Sequence, residues 1–112
     1  MEISIIRNAV TRESLREMAK HQFEDIVVDV EQKIMAIGGE LHSDEEAMLL
    51  DQRSQQPHLW GINLYPDKSP EDWIEFDAMI NVRPSGGNCS RYVERAELRE
   101  AVTRIVGRLV EG

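Results

Sequence analysis

Glu40, His42 and Asp44 stand at alternate positions, so in an extended segment all three side chains would point the same way. A neutral imidazole beside two carboxylates suits zinc, iron or manganese, with an open coordination position for hydrolytic or oxygen chemistry. The competing reading is a polar strand edge running into a helix cap, with Asp44 bonding backbone amides; no second histidine has comparable spacing. A second pair, Glu75 and Asp77, shares one face of a strand about 7 Å apart. With His42 these are the candidate catalytic residues, because two carboxylates in unequal surroundings can divide into general acid and general base. If Ile62 opposes Phe76 across a hairpin, Asn63 lies beside Glu75 on that face. The plainer reading is the wet face of an antiparallel sheet, with Glu75 or Asp77 paired to an arginine.

Arg83-Pro84-Ser85-Gly86-Gly87-Asn88-Cys89-Ser90-Arg91 joins a strand to a helix and carries two adjacent glycines between two arginines. Such a loop can offer backbone amides to an anion, which adds Asn63, Asn81, Arg83, Asn88 and Arg91 as candidate ligand-binding residues. The lysine and glycine spacing of a nucleotide loop are missing, and a plain turn needs the glycines equally. Cys89 would be a nucleophile only with His42 or His58 beside it, and spacing does not say so. Trp60 and Trp73 fit packing better than ligand stacking. No cofactor is specified.

These groups must be positioned by one domain, since 112 residues with 41% hydrophobic and 30% charged composition suffice for a core without disulfides. The net charge of -8 argues against nucleic acid. The only basic run, Arg91, Arg95, Arg99, Arg104 and Arg108, alternates with Glu94, Glu97 and Glu100 as a solvated helix face does. One cysteine, no secretory pattern and no window near the roughly 18 apolar residues of a membrane span point to a soluble cytoplasmic protein without membrane contact.

The expected elements begin with a strand over Glu2–Arg7 and a helix over Arg12–His21 capped by Thr11 and buried through Leu15, Met18 and Ala19. From Phe23 to Ile37 the apolar spacing fits a helix ended by Gly38-Gly39, while the β-branched cluster Ile26, Val27, Val28, Val30 fits two strands turning near Glu31–Lys33. The hairpin is favoured, Ile26–Glu31 pairing with Ile34–Leu41. Ser43 or Asp44 caps a helix to Asp51, with Glu45 and Glu46 at its positive end. Strands over Leu59–Tyr65 and Trp73–Arg83 follow, with Ile74, Phe76, Ala78, Ile80 and Val82 on the core face and Trp73, Glu75, Asp77, Met79, Asn81 and Arg83 on the other. A last helix over Val93–Val110 packs Leu98, Ala101, Val102, Ile105 and Leu109. The fold class is α+β: one layer of antiparallel sheet, four to five strands, with about three helices against it.

The strings Asp29-Val30-Glu31, Ile34 through His42, Leu59-Trp60-Gly61-Ile62-Asn63-Leu64-Tyr65-Pro66, Ile74-Glu75-Phe76-Asp77, Ile80 through Ser85, Asn88 and Ser90-Arg91 carry a resemblance over nearly the whole chain. They resemble the small prokaryotic family called domain of unknown function 5674. The resemblance implies one domain without fusion partners and a shared polar surface around His42, Asn63, Asp77, Asn81 and Arg91, and it assigns no activity. Three departures stand out: Lys33 and Arg53 replace expected glycines, and Arg95-Ala96 replaces an acidic-proline cap. The functional expectation is a small ligand- or metal-binding or catalytic domain with its polar site on the sheet. The alternative is a non-catalytic protein that forms a homo-oligomer through exposed Trp60, Trp73 and Met79.

Overall fold

The computed structural model describes residues 3–18 and 24–111. The β-branched stretch lies at the centre: β3 (Glu24–Asp29) and β4 (Ile34–Ile37) form an antiparallel hairpin with Ile26 opposite Ile37 and Asp29 opposite Ile34. Asp29 ties its turn. The Oδ1 atom accepts the amides of Glu31 and Gln32, both at 2.9 Å, and Oδ2 accepts the Ser54 hydroxyl at 2.6 Å. Lys33 closes the turn in the left-handed region at φ 60°, and Arg53 adopts φ 75° after the next helix. These are the two positions where the family resemblance leads one to expect glycine.

β1 (Ser4–Ile6) adds to the outside of β4, and β5 (Leu59–Leu64) pairs with the other side of β3. β6 (Ile74–Glu75) is outermost, so the sheet runs β1-β4-β3-β5-β6, antiparallel throughout. A separate parallel pair joins β2 (Val10–Thr11) to β7 (Val110–Glu111). α1 (Arg12–Met18) follows β2, and Thr11 Oγ1 accepts the Ser14 amide at 3.0 Å, as an N-cap does. The rest of the expected first helix, 19–21, and Phe23 lie outside the described residues.

Helices cover both faces of the sheet. Ile26, Val28, Met35, Ile37, Ile62 and Leu64 share a core with Leu15 of α1 and with Val102, Ile105, Val106 and Leu109 of α3 (Ala96–Leu109). On the opposite face, Val27, Ile34, Ala36 and Leu59 pack with Leu49 of α2 (His42–Asp51), and Ile80 flanks them. Each such fully buried aliphatic side chain contributes about 1.5–3 kcal/mol. Among the described residues no helix is long and apolar enough to cross a membrane.

Four expectations are corrected. The strand over Trp73–Arg83 stops at Glu75. There the Asp77 amide turns back to Glu75 O at 3.1 Å, the Ala78 amide reaches Arg91 O at 3.2 Å, and a 3-10 turn spans Met79–Asn81. A Cβ on Gly61 would sit 2.5 Å from Ala78 Cβ and 3.1 Å from Ile80 Cγ1. The chain therefore passes over β5 at its glycine instead of running beside it. The proposed alternation fails with it: Asn81 and Trp73 are buried, while Val82 is 37% exposed. The helix expected to be capped by Ser43 or Asp44 starts at His42 behind Leu41, with no side-chain cap bond. The last helix begins at Ala96, and Arg95 at its N-cap position makes no side-chain cap bond. Trp60 and Trp73, each 4% exposed, belong to the core, which leaves Met79 as the exposed member of the apolar group offered for self-association.

Candidate functional site

Strand alternation and register put Asp25, Asn63 and Glu75 in one row across β3, β5 and β6, on the face that α2 covers. Asn63 Nδ2 donates to Glu75 Oε1 at 2.9 Å and to Asp77 O at 3.3 Å, and the Tyr65 hydroxyl donates to the same Glu75 oxygen at 3.1 Å. Asp77 Oδ1 holds Arg91 Nε at 2.5 Å. The register expected from Ile62 opposite Phe76, which sets Asn63 beside Glu75, is the one observed.

His42 leads α2 in above this row. Its Nε2 lies 2.7 Å from Ile62 O, and because a carbonyl only accepts, that nitrogen carries the proton. The lone pair of neutral imidazole is thereby left on Nδ1, which faces Asp25 Oδ2 at 4.0 Å. Gly61 makes the approach possible, since a Cβ there would come within 3.2 Å of His42 Cδ2. Three residues on, along the same side of the helix, Glu45 is wholly buried. Its Oε2 accepts the Gly39 amide at 3.0 Å, and Oε1 has no hydrogen-bond partner among the described residues. Burial pushes the Glu45 carboxyl up to about 9, with the charges of Asp25, Glu24 and Asp44 adding to it against the Gly39 bond. At neutral pH Glu45 is thus an uncharged acid near Asp25, Glu24 and Asp44. Asn63 Oδ1 is likewise buried without a partner among the described residues.

Of the residues singled out from sequence, His42, Asn63, Glu75, Asp77 and Arg91 come together. The metal set does not keep its geometry. His42 and Asp44 sit in a helix, where two positions differ by about 200°, so the shared direction of an extended Glu40-His42-Asp44 segment is lost. Among the described residues no group of three potential ligands is placed to hold a metal ion.

The other candidate ligand residues bond the chain itself. Asn81 replaces the missing strand partner of Gly61: its Oδ1 accepts the Gly61 amide at 2.8 Å and its Nδ2 donates to Gly61 O at 3.0 Å. Asn88 Nδ2 donates to the carbonyls of Asn81, Ser90 and Tyr92, and its Oδ1 accepts the Glu94 amide. Arg83 donates to the carbonyls of Ile80, Gln56 and Leu59. The glycine loop is a plain turn, because the amides of Gly86, Gly87 and Asn88 all bond back to Arg83 O or Pro84 O, and Gly87 supplies φ 86°. Cys89 is exposed on it.

Sequence reading missed Asp25, Glu45 and Tyr65. Asp25 carries a signal, an acidic pair opening a β-branched run, whereas Glu45 resembles any first-turn acid until the fold buries it.

No curated protein and no solved structure matches the chain. The family model described as "Protein of unknown function (DUF5674)" matches residues 4–109. The chain belongs to that family.

Proposed function

We propose that this domain binds a small molecule bearing a protonated amine over the Asp25–Asn63–Glu75 row and moves a proton through His42. The observation that carries the reading is the fixed tautomer: Ile62 O holds Nε2–H, so Nδ1 is presented as a base 4.0 Å from Asp25 Oδ2. A histidine whose one ring N–H is held by an acceptor, with the other nitrogen left to take a proton, is a recurring general-base arrangement, and Asp25 stands on that lone-pair side. Glu45, kept protonated by its burial, adds no charge of its own to the row. Asp25, Glu75 and Asp77 bring three carboxylates together and Arg91 pairs with Asp77 alone among them in the described residues, so the patch favours a positively charged guest. The Oδ1 atom of Asn63, without a partner among the described residues, offers an acceptor for its N–H groups.

Nitrogen-resolved NMR of the histidine ring tests this. The expected spectrum shows the Nε2–H tautomer, and titration with small primary amines shifts the His42 ring and the Asn63 side-chain amide. Asp25→Asn is expected to weaken that response at least tenfold, about 1.4 kcal/mol. His42→Gln, which keeps a donor toward Ile62 O, should retain binding and lose proton exchange at the site. An Nδ1–H tautomer, or amines that leave both reporters unmoved, would overturn the reading.

A further inference from the structure

Near the start of β5, some three residues from Asn63 along the strand, lies a cavity of about 280 Å³. Its lining includes Gln56, Trp60, Ser85 and the two arginines Arg83 and Arg95. Trp60 belongs to the core cluster on the opposite side of the sheet from the acidic row, so this is a separate place. Trp60 is almost wholly buried, yet its indole Nε1 has no hydrogen-bond partner among the described residues. A buried N–H without an acceptor is costly, and Trp60 lines the cavity where an acceptor could be held.

The arginines supply charge and geometry. The Arg83 guanidinium lies 4.2 Å from the centre of the Trp60 ring and is held by the carbonyls of Ile80, Gln56 and Leu59. Three of its five N–H groups are thereby committed, leaving two for a guest. Arg95 stands at the N-cap of the 14-residue α3 without a side-chain cap bond, and its ion-pair partner among the described residues is Glu97 at 3.8 Å on the exposed surface. The positive end of α3 adds to the same field. Glu46 is the carboxylate whose charge acts on Arg83, and it is not among the residues lining the cavity.

We propose that this cavity is an oxyanion site, in which Arg83, Arg95 and the Trp60 indole N–H bind a compact phosphate or carboxylate group. Its volume falls at the lower edge of small-molecule pockets, which suits a small anion and excludes a whole nucleotide.

The test uses the full chain at low ionic strength, since screening weakens such contacts. Inorganic phosphate and acetate are titrated in separate arms while the two indole N–H resonances are followed, with sodium chloride at matched ionic strength as control. The expected result is a saturable shift of the Trp60 resonance with Trp73 unmoved, and the anion that saturates at lower concentration identifies the group. Arg95→Asp is the decisive variant. An acidic N-cap is expected to steady α3, so a tenfold or greater loss of anion affinity does not come from unfolding. Arg95→Gln, which removes the charge without adding an acid, should also weaken binding. The proposal falls if neither anion moves the Trp60 resonance beyond the chloride control, or if either Arg95 variant binds as tightly as the parent.

Discussion

Glu45 concentrates the chemistry of the candidate site in one side chain. A carboxyl that keeps its proton up to about pH 9 in the folded state, against 4.5 in the open chain, makes folding release-sensitive to pH. Below pH 4.5 both states hold the proton and stability is complete. Above it the unfolded chain ionises while the folded one does not, so stability declines by up to about 1.4 kcal/mol per pH unit until about pH 9. Glu45→Gln keeps an acceptor for the Gly39 amide and abolishes the titration. It is therefore expected to match the parent in mild acid and to exceed it by on the order of 3 kcal/mol near neutral pH. Urea unfolding across that range measures the difference, and a parent whose stability is flat from mild acid to pH 8 would show that Glu45 is not held protonated.

The turns are where the elements carry strain. Lys33 and Arg53 are the only non-glycine residues with positive φ among those described, and both stand where the family resemblance calls for glycine. A β-carbon in the left-handed region costs about 1 kcal/mol, partly offset by the greater freedom of glycine in the unfolded chain. Lys33→Gly and Arg53→Gly are each expected to raise stability by about 0.5–1 kcal/mol, read as a higher urea midpoint at unchanged slope. The β3–β4 hairpin also explains an ambiguity in the sequence. Both of its faces are covered, so Ile26, Val27 and Val28 are all buried and no alternate polar residue marks a strand. With the alternation gone, spacings of three and four could pass for a helix, and β-branching was the signal that separated them. The reverse holds over Trp73–Arg83, where good alternation suggests a strand that does not form beyond Glu75. The gap at Gly61 and the amide of Asn81, both set by contacts distant in sequence, turn that segment across the sheet.

At the scale of the molecule, stability is concentrated in the strands enclosed by α3 on one side and α2 on the other. Amides of Ile26–Asp29 and Leu59–Leu64 are expected to exchange with solvent only through global opening, whereas the two-residue β2–β7 pair, held by Val10 opposite Val110, should open locally and exchange faster. Hydrogen exchange followed residue by residue checks that order, and equal protection throughout would contradict it. The sequence by itself determined the class of fold, the central hairpin, the Asn63–Glu75 register and the acidic character, because these follow from local propensity, side-chain alternation and charge. Only tertiary structure decided that His42 lies on Ile62 O beside Asp25, that Glu45 is buried, and that Asn81 and Arg83 serve the backbone. Desolvation and pairing between residues far apart in the chain depend on how separate elements come together, and the identity of a residue does not encode which neighbours will exclude water from it.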